Sequence, residues 1–334
     1  MHGKARLRGL SEVAAGRRGA VVARFRPPTW AAAVVSGDNS FPGGLHPMGK
    51  TEKLTCLVDN AVLPHSRFRG EHGLSFLVET AAGRVLFDTG ASGEVLLHNM
   101  EVAGISPAEI DALVLSHGHR DHTGGLPALL AQRSGLPLYA HPDLPRERFS
   151  HREGAMREVG LPLSLEELRG QADLRLSTEP QEVLPGVWTT GEIADRPEPE
   201  GRSDRHFIRA DGAKLPSPWM ADPYRDDMAL VLEAPQGLVL VCGCCHAGLL
   251  NTLLHVRRVF ERDPVAVAGG THLIAADEAH LRRLIEVLRQ MGPPTLYLNH
   301  CTGQAAYVTL ALAFGERVAP CPAGTILELR SGGA

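Results

Sequence analysis

The chain has 334 residues, of which 43% are hydrophobic and 22% are charged, as in an ordinary soluble protein long enough for a sizeable core. Its formal net charge of −4 provides no global basic field for nucleic acid, and no apolar run reaches the roughly 18 residues of a membrane span. Six irregularly spaced cysteines do not make a disulfide framework, and their crowding at 242–245 is typical of a reducing compartment, so we expect a cytoplasmic protein.

Residues 1–50 differ in composition from the rest of the chain. Six arginines stand there against two acidic residues, Glu12 and Asp38, and alanine, glycine and proline fill much of the remainder. An Arg-rich, acid-poor segment of this kind is typical of a transit peptide, of a disordered tail or of upstream sequence read from an early start. Met48 lies just before the first clear strand, so we predict an extension over residues 1–50 and a folded domain over residues 51–334.

The rest of the chain contains two successive series of strands and helices. The first series has predicted strands at 53–60, 75–79, 84–88, 113–115 and 138–140, and helices at 92–103, from 106 and at 127–134. The second has predicted strands at 228–233, 238–242, 265–268, 296–298 and 325–329, and helices at 249–260, 278–291 and 305–314. Two such halves predict an α/β (α+β) protein in which two sheets pack face to face with helices outside.

A long polar stretch separates the two series. Residues 143–226 contain several prolines, so part of the stretch must be loop, and long loops in compact domains are usually functional. We therefore predict a substrate-lid insertion around 143–226, in which the segment 195–225, with Trp219 and Tyr224, selects the substrate. Short strands are predicted within the stretch at 182–184 and 187–190.

The segment 116–125, SHGHRDHTGG, carries the strongest chemical signal. It places three imidazoles and a carboxylate at a predicted strand-to-helix turn, where catalytic groups are commonly displayed. Packing four such groups on one turn costs desolvation and mutual repulsion unless a cation compensates. Imidazole and carboxylate ligands favour zinc, iron or manganese. We therefore predict a site for two divalent metal ions, with zinc the most favoured, whose ligands include His117, His119, Asp121 and His122.

Three later histidines are predicted to reach the same crevice. His246, His272 and His300 each follow a short apolar strand, and strand ends at one edge of a sheet converge. Asp88 ends an earlier strand, where a carboxylate can orient a ligand histidine. His72 precedes a strand and could lie over the site. We interpret the following histidines as surface or packing residues: His65, His98, His141, His151, His206, His255 and His280.

These motifs resemble the metallo-β-lactamase superfamily. The residues that carry the resemblance are Asp88-Thr89-Gly90, the HGHRDH run at 117–122 and His300. A narrower resemblance is to the group of hydrolases similar to 7,8-dihydropterin-6-methyl-4-(β-D-ribofuranosyl)aminobenzene-5′-phosphate synthase. It rests on the blocks EHGLS at 71–75, GCCHAG at 243–248, GGTHL at 269–273 and NHCTG at 299–303.

The resemblance implies a four-layer αβ/βα sandwich with a dinuclear metal site at one edge of the two sheets. Many relatives also have a later bridging aspartate. Cys244 falls near that position, so either His246 or Cys244 takes its role. Matched by position, the ligands would be His117 and His119 for the first ion, Asp121 and His122 for the second, and His246 and His300 to complete both sets.

A dinuclear site of this kind predicts a metal-dependent hydrolase. Two divalent ions would acidify a bridging water from a pKa of about 16 toward roughly 7. The resulting hydroxide would attack a phosphoester, cyclic phosphodiester, lactone or thioester of a small, anionic molecule; neither nucleic acid nor a membrane is expected as a partner. Two alternatives stay open: a transferase joining a dihydropterin to a ribofuranosylaminobenzene phosphate, and a di-iron redox protein. The expected catalytic residues are Asp121, His272 as proton donor or oxyanion partner, and Arg120 on an anionic group.

Overall fold

The structure, a computed structural model, describes residues 22–24, 51–209 and 218–329. The extension expected over residues 1–50 therefore lies outside the described residues, apart from the short strand β1 (Val22–Arg24). Within the described ranges, no helix is both long enough and apolar enough to cross a membrane.

Eight strands, numbered in chain order, form the first sheet. They are β1, β2 (Thr51–Val58), β3 (Ser75–Thr80), β4 (Gly83–Phe87), β5 (Ala112–Val114), β6 (Leu136–Ala140), β9 (Ala172–Leu176) and β19 (Ile326–Glu328). Their spatial order is β1-β19-β2-β3-β4-β5-β6-β9. Strands β2, β3 and β4 are antiparallel neighbours, whereas β4, β5, β6 and β9 run parallel, so the carboxyl ends of these four strands share one edge.

The helices that accompany this sheet are α1 (Gly93–Ala103), α2 (Arg120–Thr123), α3 (Leu126–Gln132) and α4 (Leu165–Gln171). Ser92 caps α1 by accepting the backbone N–H of Val95, and Gly104 ends the helix in a left-handed conformation. The helix expected from Ser106 is a single 3₁₀ turn, Pro107–Glu109. It stops there because the chain becomes extended at the fully buried Ile110 before entering β5.

Seven strands form the second sheet. They are β10 (Glu182–Leu184), β11 (Val187–Thr189), β14 (Ala229–Ala234), β15 (Gly237–Cys242), β16 (Pro264–Gly269), β17 (Thr295–Leu298) and β18 (Val318–Pro320). Their spatial order is the same as their order in the chain. From β15 to β18 neighbouring strands are parallel. The helices α5 (Leu249–Phe260), α6 (Glu278–Met291) and α7 (Gln304–Phe314) belong to this half of the chain.

Apolar side chains from both sheets fill the space between them. Phe76 of the first sheet and Leu230 of the second are fully buried in the same core cluster. The opposite faces of the strands pack against helices, with Leu96 of α1 buried outside the first sheet and Leu284 of α6 buried outside the second. Alternating strands and amphipathic helices therefore build four layers, helix–sheet–sheet–helix, which confirms the architecture expected from the sequence.

A third sheet, called the small sheet below, lies within the polar stretch 143–226. Its strands are β7 (Arg148–Arg152), β8 (Ala155–Glu158), β12 (His206–Arg209) and β13 (Trp219–Ala221), antiparallel in the order β13-β12-β7-β8. The same stretch supplies β9 to the first sheet and β10 and β11 to the second. The stretch contains more regular structure than its composition predicts. Exposed strands such as β8 show no apolar alternation, so the sequence pattern does not reveal them.

Candidate metal centre

Loops from both large sheets meet at one edge of the sandwich. Each loop follows the carboxyl end of a strand, which is where parallel strands gather side chains from distant parts of the chain. From the first sheet come Asp88 after β4 and the turn 116–123 after β5. From the second sheet come Cys244 and His246 after β15, His272 after β16 and His300 after β17.

The turn after β5 presents its side chains from a short extended segment followed by a helix. The backbone N–H of Ser116 donates to Asp88 Oδ1 over 2.7 Å, which holds the end of the strand. His119 is still extended, with φ −70° and ψ 145°, and α2 begins at the next residue. Gly118 is required in the turn because a Cβ there would lie 2.6 Å from the carbonyl oxygen of Leu144.

Three groups of side chains in the described ranges have ligand atoms within 4.8 Å of one another. Two residues each belong to two groups, so the groups form one continuous cluster. The structure brings all six ligands expected from the sequence into this cluster. The groups are Asp121, His122, Cys244 and His300; His117, Cys244 and His246; and His119, His206 and His246.

Hydrogen bonds orient two of the imidazoles in this cluster. Nδ1 of His122 lies 2.7 Å from Asp88 Oδ2, and Nδ1 of His117 lies 2.8 Å from the Ser116 hydroxyl. The Ser116 hydroxyl donates in turn to Asp88 Oδ2 over 2.7 Å. With Nδ1–H directed at an oxygen, each imidazole keeps its Nε2 lone pair for a cation. The buried Asp88 carboxylate therefore contacts one imidazole directly and the other through Ser116.

Three imidazole nitrogens are buried without a hydrogen-bond partner among the described residues. They are Nε2 of His119, His246 and His300. Nδ1 of His246 lies 3.3 Å from the Gly201 carbonyl oxygen, and Nδ1 of His300 lies 3.1 Å from Asn60 Oδ1, so both rings can keep a free lone pair at Nε2. An unpaired buried polar atom is costly, and a cation bound at Nε2 of His246 and of His300 would remove that cost. The residues present therefore fit a metal ion.

The separations between ligand atoms agree with shared cations. His117 Nε2 and His119 Nδ1 lie 3.0 Å apart, close to the roughly 3.3 Å between two nitrogens bound to one tetrahedral zinc. His122 Nε2 lies 3.1 Å from Cys244 Sγ and 3.9 Å from Asp121 Oδ2. The ligand atoms in each set therefore already lie about as far apart as binding to one ion would require.

Burial makes most of these imidazoles neutral. It lowers the pKa of the ring well below its usual value in three cases, and neighbouring imidazoles lower the pKa further. Neutral imidazole is the form that binds metal. The three residues are His117, His119 and His246.

The adjacent pair Asp121 and His122 behaves differently. Burial alone lowers the pKa of His122, but the carboxylates of Asp121 and Asp88 outweigh burial and raise it to about 9. Burial alone raises the pKa of Asp121, but the His122 and His300 rings hold it well below its usual range. A cation that takes the place of the His122 proton would therefore release that proton on binding.

Two buried aspartates ahead of β14 support the loops of the centre. Asp226 Oδ2 accepts the backbone N–H of Gly118 over 2.7 Å, and Asp227 Oδ2 accepts that of Ala247 over 2.8 Å. Burial raises the pKa of Asp226 to about 7 and that of Asp227 to about 6. Neither residue is among those predicted from the sequence, although two adjacent acids directly before an apolar strand are an unusual signal.

His206 reaches the centre from β12 of the small sheet. Its ring centre lies 4.6 Å from that of His119 and 5.8 Å from that of His246. The interpretation of His206 as a surface or packing residue without a partner cluster is therefore wrong. The sequence around it contains no motif, and only the apolar residues Phe207 and Ile208 indicate a strand there.

Two further histidines border the cluster. His72 stacks on His300 with ring centres 5.1 Å apart, and its Nε2 lies 3.3 Å from Asp121 Oδ2, so it lies over the site. His272 lies beside His246, with ring centres 4.3 Å apart, but it belongs to none of the three groups described above.

The residues expected to select the substrate occupy different environments. Arg120 is exposed at the start of α2. Trp219 packs edge-on against Phe149 within the small sheet, with ring centres 4.7 Å apart. Tyr224 is fully buried and stacks face to face on His246, with ring centres 4.2 Å apart and planes inclined by 7°. Tyr224 is therefore part of the centre instead of an exposed lid residue.

Several residues of the centre have a left-handed backbone conformation that L side chains rarely adopt. Strain of this kind is held by the surrounding structure and is concentrated at functional sites. No residue pattern in the sequence marks these positions. They are Asp88 (φ 59°), Tyr224 (φ 49°), Cys245 (φ 61°), His272 (φ 48°) and His300 (φ 48°).

Comparison with known proteins gives one family match and several relatives. Residues 69–244, slightly more than half of the chain, match the family model described as the metallo-beta-lactamase superfamily. The 7,8-dihydropterin-6-methyl-4-(beta-D-ribofuranosyl)-aminobenzene-5′-phosphate synthase of Methanocaldococcus jannaschii is 31% identical over 293 residues, which cover 84% of this chain and 98% of the relative. Ribonuclease Z of Pyrococcus abyssi is 27% identical over 161 residues, which cover 44% of this chain and 50% of the relative.

A solved structure shares the fold along most of the chain. It is the crystal structure of Tm1679, described as a metal-dependent hydrolase of the beta-lactamase superfamily. The two structures superpose with a TM-score of 0.71 at 26% identity, and the match covers 84% of this chain and 100% of the other.

Proposed function

Because this chain belongs to the metallo-β-lactamase superfamily, we propose that it is an enzyme that uses two divalent metal ions, most favourably zinc, to hydrolyse a small anionic substrate. The observation that carries the proposal is the convergence of imidazole, carboxylate and thiol groups at one edge of the sandwich. Such a centre suits substrates with an electrophilic phosphorus or carbonyl carbon, which are phosphoesters, cyclic phosphodiesters, lactones and thioesters.

We assign the cluster to two sets of ligands, an assignment that the distances between its ligand atoms support. Cys244 would belong to both sets, since its Sγ is shared by two of the three groups. It would then take the role of the bridging aspartate that many relatives carry. The other ligands would be His117, His119 and His246 for the first ion, and Asp121, His122 and His300 for the second.

The reaction requires contributions from both the ions and the side chains. Two bound divalent ions supply acidification of a water molecule and polarisation of the bond under attack. The carboxylate of Asp121 lies 3.5 Å from His300 Nε2 and is partly exposed, so it can accept a proton from the attacking water. To His272, which is partly exposed beside His246, we assign the return of a proton to the leaving group. Arg120 offers a positive charge to an anionic substrate at the start of α2.

A second candidate function is suggested by the M. jannaschii relative, which is named a synthase. In that case the same centre would support the joining of a dihydropterin to a ribofuranosylaminobenzene phosphate. We favour hydrolysis because the cluster provides for activation of water without any further cofactor.

Metal analysis followed by a substrate screen tests these functions. We expect two zinc or manganese ions per chain and turnover of a generic phosphodiester, phosphomonoester, lactone or thioester. Tight binding of a dihydropterin without hydrolysis would favour the synthase, and iron with a light-absorbing oxygen adduct would favour a redox protein. Protein that retains no metal after dialysis against zinc would contradict the proposed centre.

His272→Ala is expected to slow turnover by about 10²–10⁴-fold, the usual contribution of a general acid or base. Both ions should remain bound, because the His272 ring lies outside the three ligand groups. Metal content and kcat are measured on the same preparations, with His98→Ala, at a partly exposed position on α1 outside the ligand groups, as the control. A metal-depleted His272→Ala protein would make His272 a ligand instead.

Cys244→Ser is expected to abolish the thiolate-to-cobalt charge-transfer band of the cobalt(II)-substituted protein. Burial raises the pKa of the Cys244 thiol, but a coordinating thiol is deprotonated by its metal ion. Cys301→Ser is the matched control, because Cys301 is also buried and its Sγ lies 3.5 Å from the Cys244 carbonyl oxygen. If the band persists in Cys244→Ser and disappears in Cys301→Ser, the assignment of Cys244 is wrong.

A further inference from the structure

His206 and Tyr224 form a hydrogen-bonded pair beside the candidate centre. Nδ1 of His206 lies 2.9 Å from the Tyr224 hydroxyl. His206 belongs to the small sheet and is partly buried, whereas Tyr224 is fully buried and stacks on His246. The pair therefore links the small sheet directly to an imidazole of the first ligand set.

The direction of this hydrogen bond follows from the second partner of the hydroxyl. The backbone N–H of Ser203 donates to the Tyr224 hydroxyl oxygen over 3.3 Å. The buried tyrosine hydroxyl carries a proton near pH 7 and must donate it. Its other hydrogen-bond partner among the described residues is His206 Nδ1, which is therefore the acceptor. An imidazole that accepts at Nδ1 carries its own proton at Nε2.

The hydrogen bond from Tyr224 also fixes the charge of the His206 ring, because an imidazole that accepts at Nδ1 and carries its proton at Nε2 is neutral. A neutral imidazole protonated at Nε2 has no lone pair there for a cation. This distinguishes His206 from His246, another member of its group, whose Nε2 is buried and unpartnered in the described part of the chain.

We propose that His206 is a catalytic residue whose Nε2–H donates a hydrogen bond to a substrate oxygen, and that Tyr224 is the positioning residue that holds this tautomer. The proposal rests on the hydrolase function above. It specifies a substrate whose phosphoryl or carbonyl oxygen gains negative charge during the reaction, because a fixed donor stabilises that charge most strongly. The small sheet would then be a lid that supplies a chemical group to the reaction.

The tautomer of His206 is the first test. In the zinc-loaded protein with ¹⁵N-labelled histidine, we expect the ring nitrogen shifts of His206 to show a proton on Nε2. The signal is assigned by its loss in His206→Gln. In Tyr224→Phe, which keeps the ring against His246, we expect a mixture of tautomers. A proton on Nδ1 in the wild-type protein, or an unchanged tautomer in Tyr224→Phe, would overturn the proposal.

Metal content and kinetics are the second test. We expect His206→Ala to retain both ions and to lose about 10²–10³-fold in kcat, as for removal of one oxyanion donor. His206→Gln should recover part of that loss because its amide N–H can reach the same oxygen. Tyr224→Phe should lower kcat with little change in KM. His151→Ala, at an exposed position on the adjacent strand β7, is the control.

Loss of a metal ion from His206→Ala would make His206 a ligand together with His119 and His246, and would overturn the proposed donor role. Equal kcat in His206→Ala and the wild type would also overturn it. The tautomer and the metal content are measured without turnover. They therefore decide the role of His206 even if the reaction of the centre is not hydrolysis.

Discussion

Asp121→Ala is expected to lose one of the two metal ions and at least about 10³-fold in kcat/KM. Asp121 is the carboxylate of the second ligand set, and its Oδ2 lies 3.5 Å from His300 Nε2 and 3.9 Å from His122 Nε2. An ion at this position supplies several kcal/mol of transition-state stabilisation, and about 1.4 kcal/mol corresponds to a factor of ten in rate. Loss of its only carboxylate ligand should therefore remove the ion and the rate together.

Elemental analysis and kcat/KM on the same preparations check this expectation. His119→Ala should give the parallel result for the first ion, because its Nδ1 lies 3.0 Å from His117 Nε2. Asp173→Ala is the matched control, since that carboxylate is exposed and pairs with Arg175 at the surface. Two retained ions in Asp121→Ala or in His119→Ala would remove the mutated residue from the ligand sets.

The chemistry of the centre could be predicted from the sequence for two kinds of residue. One kind lies close together in a single short segment, and the other directly follows an apolar strand. The motif of the turn 116–123 is contained in one short segment, so no tertiary information is needed to recognise it. Asp88, His246 and His300 are distant in the chain, yet each follows an apolar run. Such runs are reliable because β15 and β17 are buried on both faces, which leaves few polar residues within them.

The contribution of the small sheet could not be predicted in the same way. Its strands are short and partly exposed, so their residues show neither a continuous apolar run nor a clear alternation. The position of His206 depends on antiparallel pairing of β12 with β7, between segments more than fifty residues apart. The role of Tyr224 depends on a left-handed backbone conformation and on stacking against His246, which no local pattern specifies.

Arg148→Met is expected to destabilise the protein by about 3–5 kcal/mol, the cost of breaking a buried ion pair from one side. Arg148 is fully buried at the start of β7, and its guanidinium contacts Asp226 Oδ1 at 2.7 Å and Asp222 Oδ2 at 3.2 Å. The guanidinium and the two carboxylates are close enough to form ion pairs, although the angles between their atoms are not those of good hydrogen bonds. Methionine fills similar space but removes the guanidinium that contacts both carboxylates. Because Asp226 also accepts the N–H of Gly118, metal content should fall as well.

Chemical denaturation measures the loss of stability, and two further variants control for its cause. Arg157→Met, on the neighbouring strand β8, removes an exposed arginine that pairs with Glu153, and such surface pairs contribute about 0–1 kcal/mol. In the double variant Arg148→Met with Asp226→Asn, part of the stability should return because one unpaired carboxylate is gone. A destabilisation equal to that of Arg157→Met would show that the buried charges are not coupled to folding.

The pH dependence of Arg148→Met provides an independent check of the same cause. Burial raises the pKa of Asp226 to about 7 in the folded protein, although Arg148 opposes the rise, and the usual pKa of an unfolded aspartate is about 3.9. A carboxyl with a raised folded pKa binds its proton more tightly in the folded state, so its contribution to stability falls as the pH rises from about 4 to 7. Without Arg148 the folded pKa should rise further. The stability of Arg148→Met should therefore continue to fall as the pH rises above 7, where the contribution of Asp226 in the wild type levels off, and equal pH profiles above pH 7 would contradict the assigned ion pair.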